Sequence, residues 1–188
     1  ADAHQKAAKL FDVFCKNNKG SWGLINSGLF GAFFEGKNAS QCLKLVHKFQ
    51  DKLIKQTDIT VSAGIAEYPT LRYQPADVLT NALKALDHAA FFGPGSTAIF
   101  DTVSLNISGD RLFDKGDIKG SISEFRLALK LNPSNINVHN SLGVCYGLMG
   151  DYDKAKMEFK SAIKLKAEAV MPWYNLGFTS MLAGDRRK

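Results

Sequence analysis

No run of 18 apolar residues occurs in this sequence, so none of it reads as a membrane-spanning helix. Cysteine is scarce. Cys15, Cys42 and Cys145 lie far apart, are odd in number, and form no CxxC pair or Cys/His cluster with metal spacing. A cysteine-based metal site is thereby excluded, and buried free thiols in a reducing cytoplasm are expected. Histidine is equally thin: His4, His47, His88 and His139 are scattered, and none pairs with a cysteine or acid at catalytic spacing. The short "GPGS" at residues 93–96 lacks the Gly-Lys-Ser/Thr that a phosphate loop requires. The first residues, "ADAHQKAAKLF", have an amphipathic helical pattern and are expected to be a helix and not a signal peptide. Both ends are expected to be cuts through a longer protein.

What is present suits one large or two small globular domains. The chain has 188 residues, 45% of them hydrophobic and 22% charged, with a net charge of +6. Residues 1–101 hold 11 Lys/Arg and 9 Asp/Glu, and residues 102–188 hold 13 and 9. Arg186, Arg187 and Lys188 supply part of the second excess. The positive charge is therefore diffuse apart from one terminal cluster, and nucleic acid is not an expected partner.

The second half repeats itself. "LFDKGDIKGSISEFRLALKLNPSN" (112–135) and "YGLMGDYDKAKMEFKSAIKLKAEA" (146–169) align at an offset of 34 residues. Gly109, Gly143 and Gly177 fall in register, as do Gly116, Gly150 and Gly184. Phe125 matches Phe159, Ala128 matches Ala162, and Leu131 matches Leu165. A third copy opens with "WYNLGFTSMLAGD" and stops. Each unit reads as two antiparallel helices. The second glycine of each copy ends helix A in a left-handed conformation, and Asp117, Asp151 or Asp185 then caps helix B. Phe125 and Phe159 are expected to plug the space between helices. His139, at the position of Trp173 in the third copy, is assigned a packing role.

This pattern resembles the tetratricopeptide repeat, W-x2-L-G-x2-Y…A-x3-F…P over 34 residues. Trp173, Leu176 and Gly177 fit its start, and Leu142, Gly143, Tyr146, Ala155, Phe159 and Ala162 fit the second copy. Gly109, Phe125, Ala128 and Pro133 fit the first, where Ser108 and Ser121 depart. The resemblance implies a superhelix of stacked helix pairs with a concave, partner-binding groove. It assigns to that groove Val103, Asn106, Asp110 and Phe113, then Asn137, Asn140, Val144 and Gly147, then Met171, Tyr174, Phe178 and Met181. Some family members clamp a terminal carboxylate with Lys, Arg and Asn. Here no groove position is Lys or Arg, so a peptide C-terminus is not the expected ligand. A separate protein partner and a neighbouring domain or second subunit both fit. The third copy lacks its B helix, so its apolar residues would be poorly covered, and self-association through the C-terminal end is expected.

In the first half, residues 3–16 read as a helix with Ala7, Leu10, Phe11 and Phe14 on one face. A hairpin, "INSGLFGAFFEG", follows at 25–36. A helix over about 38–56 carries the stripe Cys42, Val46, Phe49 and Leu53, with Lys44, Lys48, Lys52 and Lys55 on a solvated side. Ile59, Val61, Ala63 and Ile65 alternate as in a strand. A helix over 75–92 and a last strand in "GPGSTAIFD" complete the order α-β-β-α-β-α-β. An α+β or α/β sheet with helices packed on it is the expected fold.

"VSAGIAEYP" from Val61 and "ALKALDHAAFFG" from Ala82 resemble the strand VSIGIA and the helix A-D-x-A-L-Y-x-A-K-x-x-G of the GGDEF, or diguanylate cyclase, family. Ala82, Ala85, Leu86, Ala89 and Gly93 match, while the family's Asp, Tyr and Lys become Leu83, Asp87 and Ala90. The resemblance covers about residues 1–101 and sets the family's Gly-Gly-Asp-Glu-Phe on Asn26, Ser27, Gly28, Leu29 and Phe30. Carboxylates at its third and fourth positions would bind Mg²⁺ for phosphoryl transfer. Gly28 and Leu29 supply none. The inhibitory Arg-x-x-Asp position, residues 17–20, reads "NNKG", and the family's first strand would precede Ala1.

The expected architecture is thus a truncated GGDEF-like α+β domain at 1–101, followed by an all-α repeat superhelix at 102–188, with repeats at 102–135, 136–169 and a partial 170–188. The expected function is non-catalytic: a bacterial, cytoplasmic signalling scaffold that binds a protein or peptide, with homodimerisation through its end, and with no metal or cofactor. The alternative is a nucleotide sensor that binds GTP or cyclic di-GMP at the degenerate hairpin.

Overall fold

The computed structural model describes residues 2–184, with side chains from Gln5 onward. The expected cap Asp185, the basic cluster Arg186–Lys188 and the side chain of His4 lie outside the described residues. The chain divides into two compact units, Ala1–Phe100 and Asp101–Lys188.

The first unit opens with α1 (Asp2–Asn17), whose apolar stripe meets that of α2 (Ala39–Thr57). Ala7, Phe49 and Leu53 are buried at this contact, with Leu10, Phe11, Phe14, Ile59 and Val61 packed around them. Phe11 and Phe14 lie 5.1 and 5.0 Å, ring to ring, from Phe49. Helix α2 starts at a capping box. The Asn38 side chain accepts from Gln41 N, and the Gln41 side chain accepts from Asn38 N, both at 2.9 Å.

Between these helices stand β1 (Ser21–Asn26) and β2 (Leu29–Phe33), an antiparallel hairpin. Further on, β3 (Ala63–Ile65) and β4 (Thr97–Ile99) pair in parallel across α3 (Val78–Ala89), which is flanked by 3-10 turns at Pro75–Asp77 and Ala90–Phe92. A parallel pair needs such a crossover. Gly64 explains the tightness of this unit: a Cβ there would overlap the backbone at Ala82 O and Leu86 N. Gln50 of α2 ties the two segments together, donating from Nε2 to Val61 O at 2.8 Å and Gly95 O at 3.0 Å.

Two expectations change here. The strands do not form one sheet: among the described residues there are two separate two-stranded ladders. The alternating segment 59–65 pairs only from Ala63, because Ile59 and Val61 are drawn into the α1–α2 core instead. Alternation reports which side chains are buried, and here a helix pair supplies the burial that a sheet face was expected to give.

The second unit is all helical: α4 (Thr102–Asp114), α5 (Ile118–Leu131), α6 (Ile136–Leu148), α7 (Tyr152–Leu165) and α8 (Val170–Leu182). Helices pack as successive antiparallel neighbours, α4 on α5 and α6 on α7. Gly116, Gly150 and Gly184 take φ of 81°, 77° and 78°, so each turn uses the left-handed conformation open to glycine. Asp117 and Asp151 then accept from Gly120 N and Lys154 N. Phe125 and Phe159 are buried against Gly109 and Gly143, where a Cβ would come within 2.5 Å of the ring. Ser121 stands where the repeat pattern has alanine. It is fully buried, and its hydroxyl donates to Gly109 O at 2.8 Å. Cys15 and Cys145 are buried, whereas Cys42 is half-buried, because it sits at the edge of the α2 stripe.

Candidate functional site

The first helices of the repeats, α4, α6 and α8, line one face of the second unit. Across it lies a concavity of about 470 Å³. Asn106 and Asp110 enter it from α4, four residues apart and so on one helix face. Asn137 and Asn140 come from α6, and Met171 and Pro172 from α8, with the α6 and α8 starts Ile136, Ala169 and Val170 at its edge. Of the residues expected in a groove, Asn106, Asp110, Asn137, Asn140 and Met171 meet here. Val103, Phe113, Val144, Gly147, Tyr174, Phe178 and Met181 do not line this concavity. Val103, Tyr174, Phe178 and Met181 are exposed, and Phe113, Val144 and Gly147 are half-buried. Pro172 and Ser141 went unnoticed in the sequence. The repeat register fixes which helix faces inward, but not the depth of each position along it.

Polar contacts order this face. Asn175 Nδ2 donates to Asn140 Oδ1 at 3.0 Å, joining α8 to α6. Asn106 Nδ2 donates to Asp110 Oδ2 at 2.9 Å. Asp110 is exposed to solvent, and partial desolvation of its carboxyl by the groove wall, with Asp114 as a nearby like charge, pushes its pKa up from the ordinary carboxylate value. Among the described residues no Lys or Arg lines the concavity.

In the first unit, Ser27 and Gly28 form the two-residue link between β1 and β2, with Gly28 at φ 93°. Asn26, Ser27 and Gly28 are exposed, and Leu29 and Phe30 are half-buried. Phe30 packs at 5.7 Å from both Phe11 and Trp22, so it anchors the hairpin to α1. Trp22 Nε1 donates to Asp12 at 2.8 Å. Among the described residues no group of three His, Cys, Asp or Glu side chains is placed to hold a metal ion. No helix among them is long and apolar enough to cross a membrane.

Residues 109–150 match the family described as TPR repeat, and residues 136–168 match the one described as tetratricopeptide repeat. Together the two matches span residues 109–168, about a third of the chain. Among solved structures, the first TPR of Spaghetti (RPAP3), bound to the HSP90 peptide SRMEEVD, is 15% identical with a TM-score of 0.47, over 78% of this chain and 96% of that one. The second TPR of the same protein, bound to the same peptide, is 16% identical with a TM-score of 0.44, over 45% and 79%. MamA is 18% identical with a TM-score of 0.46, over 80% and 71%. No curated protein matches the chain.

The repeat register extends to polar contacts that the sequence did not suggest. His139 Nε2 lies 3.0 Å from Pro133 O, and its Nδ1 lies 2.7 Å from Glu158 Oε2. At the equivalent place in the next repeat, Trp173 Nε1 donates to Ala167 O at 2.8 Å. His139 is thus a bridging donor and not only a packing residue. Both ring nitrogens face acceptors, so the protonated imidazolium satisfies both. The Glu158 hydrogen bond is the main reason its pKa is raised, against an opposing effect of burial.

Proposed function

We propose that this chain is a non-catalytic bacterial signalling scaffold in the cytoplasm, whose tetratricopeptide repeats bind a protein or peptide along the α4–α6–α8 face. The observation that carries this reading is the concavity where Asn106, Asp110, Asn137, Asn140 and Met171 converge from three repeats. Phe113, Val144, Tyr174 and Phe178 are assigned to the continuation of the same binding face. A bulky Asn140→Trp substitution in the floor is expected to abolish partner binding, measured by calorimetry, while leaving the helical circular dichroism unchanged. Unaltered binding would remove the groove from the reading.

The first unit is read as a degenerate GGDEF-like domain that serves for docking. Support comes from its "VSAGIA" strand pressed on α3 at Gly64, and from a hairpin turn, Asn26–Phe30, without a carboxylate. Titration with GTP and cyclic di-GMP is expected to give no heat. Saturable binding at the hairpin would instead favour a nucleotide sensor. Turnover of GTP with Mg²⁺ would overturn the non-catalytic reading.

Self-association belongs to the same proposal. Tyr174, Phe178 and Met181 of α8 are 66%, 49% and 66% exposed, an apolar display that association tends to cover. Light scattering is expected to show a concentration-dependent dimer, and a clean monomer at high concentration would count against it.

A further inference from the structure

We propose that the α4–α6–α8 groove takes a peptide segment that presents a lysine or arginine side chain to Asp110 and Asn106. The inference rests on the groove being a protein-binding face and names the chemistry of what it binds. Among the described residues Asp110 is the only charged one that lines the concavity, in a chain whose net charge is +6. It forms no ion pair among the described residues, and its hydrogen bond comes from Asn106 Nδ2. That bond fixes the Asn106 amide, since turning it would set Oδ1 against the carboxylate, acceptor facing acceptor. Held this way round, Asn106 Oδ1 is buried with no hydrogen-bond partner.

On α4, then, Asn106 Oδ1 lacks a donor and the solvent-exposed Asp110 carboxylate beside it lacks a counter-charge. A backbone N–H would satisfy Asn106 and leave Asp110 without a counter-charge. A carboxylate-bearing ligand would supply neither donor nor charge. An ammonium or guanidinium group supplies both, with several N–H donors for adjoining acceptors. The raised pKa of Asp110, caused by partial desolvation and by Asp114, fits a carboxylate that lacks a cation. Apolar neighbours are at hand for the side-chain stem: Ile136, Val170, Met171 and Pro172 line the same concavity. The occupant is a peptide and not a free cation because the space spans three helices, and Asn137 and Asn140 of α6 offer amide groups to a backbone.

The test is selection of random heptapeptides displayed on phage against the immobilised full chain. The enriched peptides are then measured by fluorescence anisotropy. Enriched peptides are expected to carry Lys or Arg. Changing that residue to Gln, or Asp110→Asn in the protein, is expected to weaken binding about tenfold or more, and the two changes together no further. Enriched peptides without a basic residue would overturn the proposal. So would affinity that Asp110→Asn leaves within about twofold while Asn140→Trp abolishes it; the groove would then bind peptides by other chemistry. Failure to enrich any peptide, or binding indifferent to both substitutions, would overturn the protein-binding reading and this proposal with it. Matching circular dichroism of the near-isosteric Asp110→Asn variant separates lost charge from lost fold.

Discussion

Phe125 and Phe159 fill the space over Gly109 and Gly143, 2.5 Å from where a Cβ would stand, whereas among the described residues nothing lies within 4 Å of the same position at Gly177. The three glycines occupy one register, so the difference is not in helix A but in what covers it. The first two repeats close on themselves through helix B. The third is described only as α8, with Phe178 half exposed. The comparison teaches that the small residue is required by the partner helix and not by the helix that carries it. It also separates two roles of glycine: Gly184 keeps the left-handed turn of its predecessors at φ 78° although no described atom lies within 4 Å of a Cβ at Gly177.

The largest expected effect breaks a filled slot. Phe159 is 1% exposed, and Phe159→Ala should cost about 3–5 kcal/mol by leaving a cavity between α6 and α7. Chemical denaturation followed by circular dichroism measures it. A loss below about 1 kcal/mol would show that the slot collapses and that the plug is not what joins the pair. Next comes the glycine comparison itself. Gly143→Ala pushes a methyl against the Phe159 ring and should cost about 1–3 kcal/mol. Gly177→Ala meets open space in a helix and should stabilise by about 0.5–1 kcal/mol. Equal effects at both sites would dissolve the distinction drawn here. Should an added partner cover α8, the benefit of Gly177→Ala is expected to vanish in its presence.

Much of the second unit was legible because it is written more than once. Turn glycines, capping aspartates and plugging phenylalanines recur at 34 residues, so one alignment gives their roles. The first unit uses each device once. Its helix pair could be read from the stripes of α1 and α2, but the fate of Ile59 and Val61 could not. Their alternation is the same whether a sheet or a helix pair buries them. The candidate groove was half legible for a related reason. Register assigns Asn106 and Asp110 to one face, yet the unpaired Asn106 oxygen depends on which way round an amide is held, and nothing in a sequence records that. His139 shows a further limit: its acceptors are a loop carbonyl and Glu158 on another helix.

His139 and Trp173 sharpen the comparison through pH. Both donate to the loop carbonyl six residues back, but the described contacts give a second acceptor, Glu158, to His139 alone. The folded pKa of His139 is raised above its unfolded value. Its contribution is therefore complete below the ordinary histidine pKa and is lost as pH rises through the folded pKa. A charge-assisted hydrogen bond of this kind is worth about 1.5–3 kcal/mol when intact. Denaturation of the wild type across pH 5–9 should show that decline, and Glu158→Gln should flatten it. A decline that persists in Glu158→Gln would assign it to another group.

The smallest effect concerns helix starts, where the third repeat again departs from the first two. Asp101 and Asn135 cap α4 and α6, accepting from Ser104 N and Val138 N. The residue in register before α8 is Ala169, which has no side-chain cap. Its backbone is already in place: φ −70° and ψ 109° at Ala169, against −79° and 104° at Asn135. An asparagine at 169 can then accept from the first turn of α8 without any backbone change. Ala169→Asn should stabilise α8 by about 1 kcal/mol, and Asn135→Ala should destabilise α6 by a similar amount. Hydrogen exchange of the amides of α8 reads the first directly, as slower exchange. If Ala169→Asn leaves that exchange unchanged, a missing cap is not what distinguishes α8, and the exposure of Tyr174, Phe178 and Met181 alone does so.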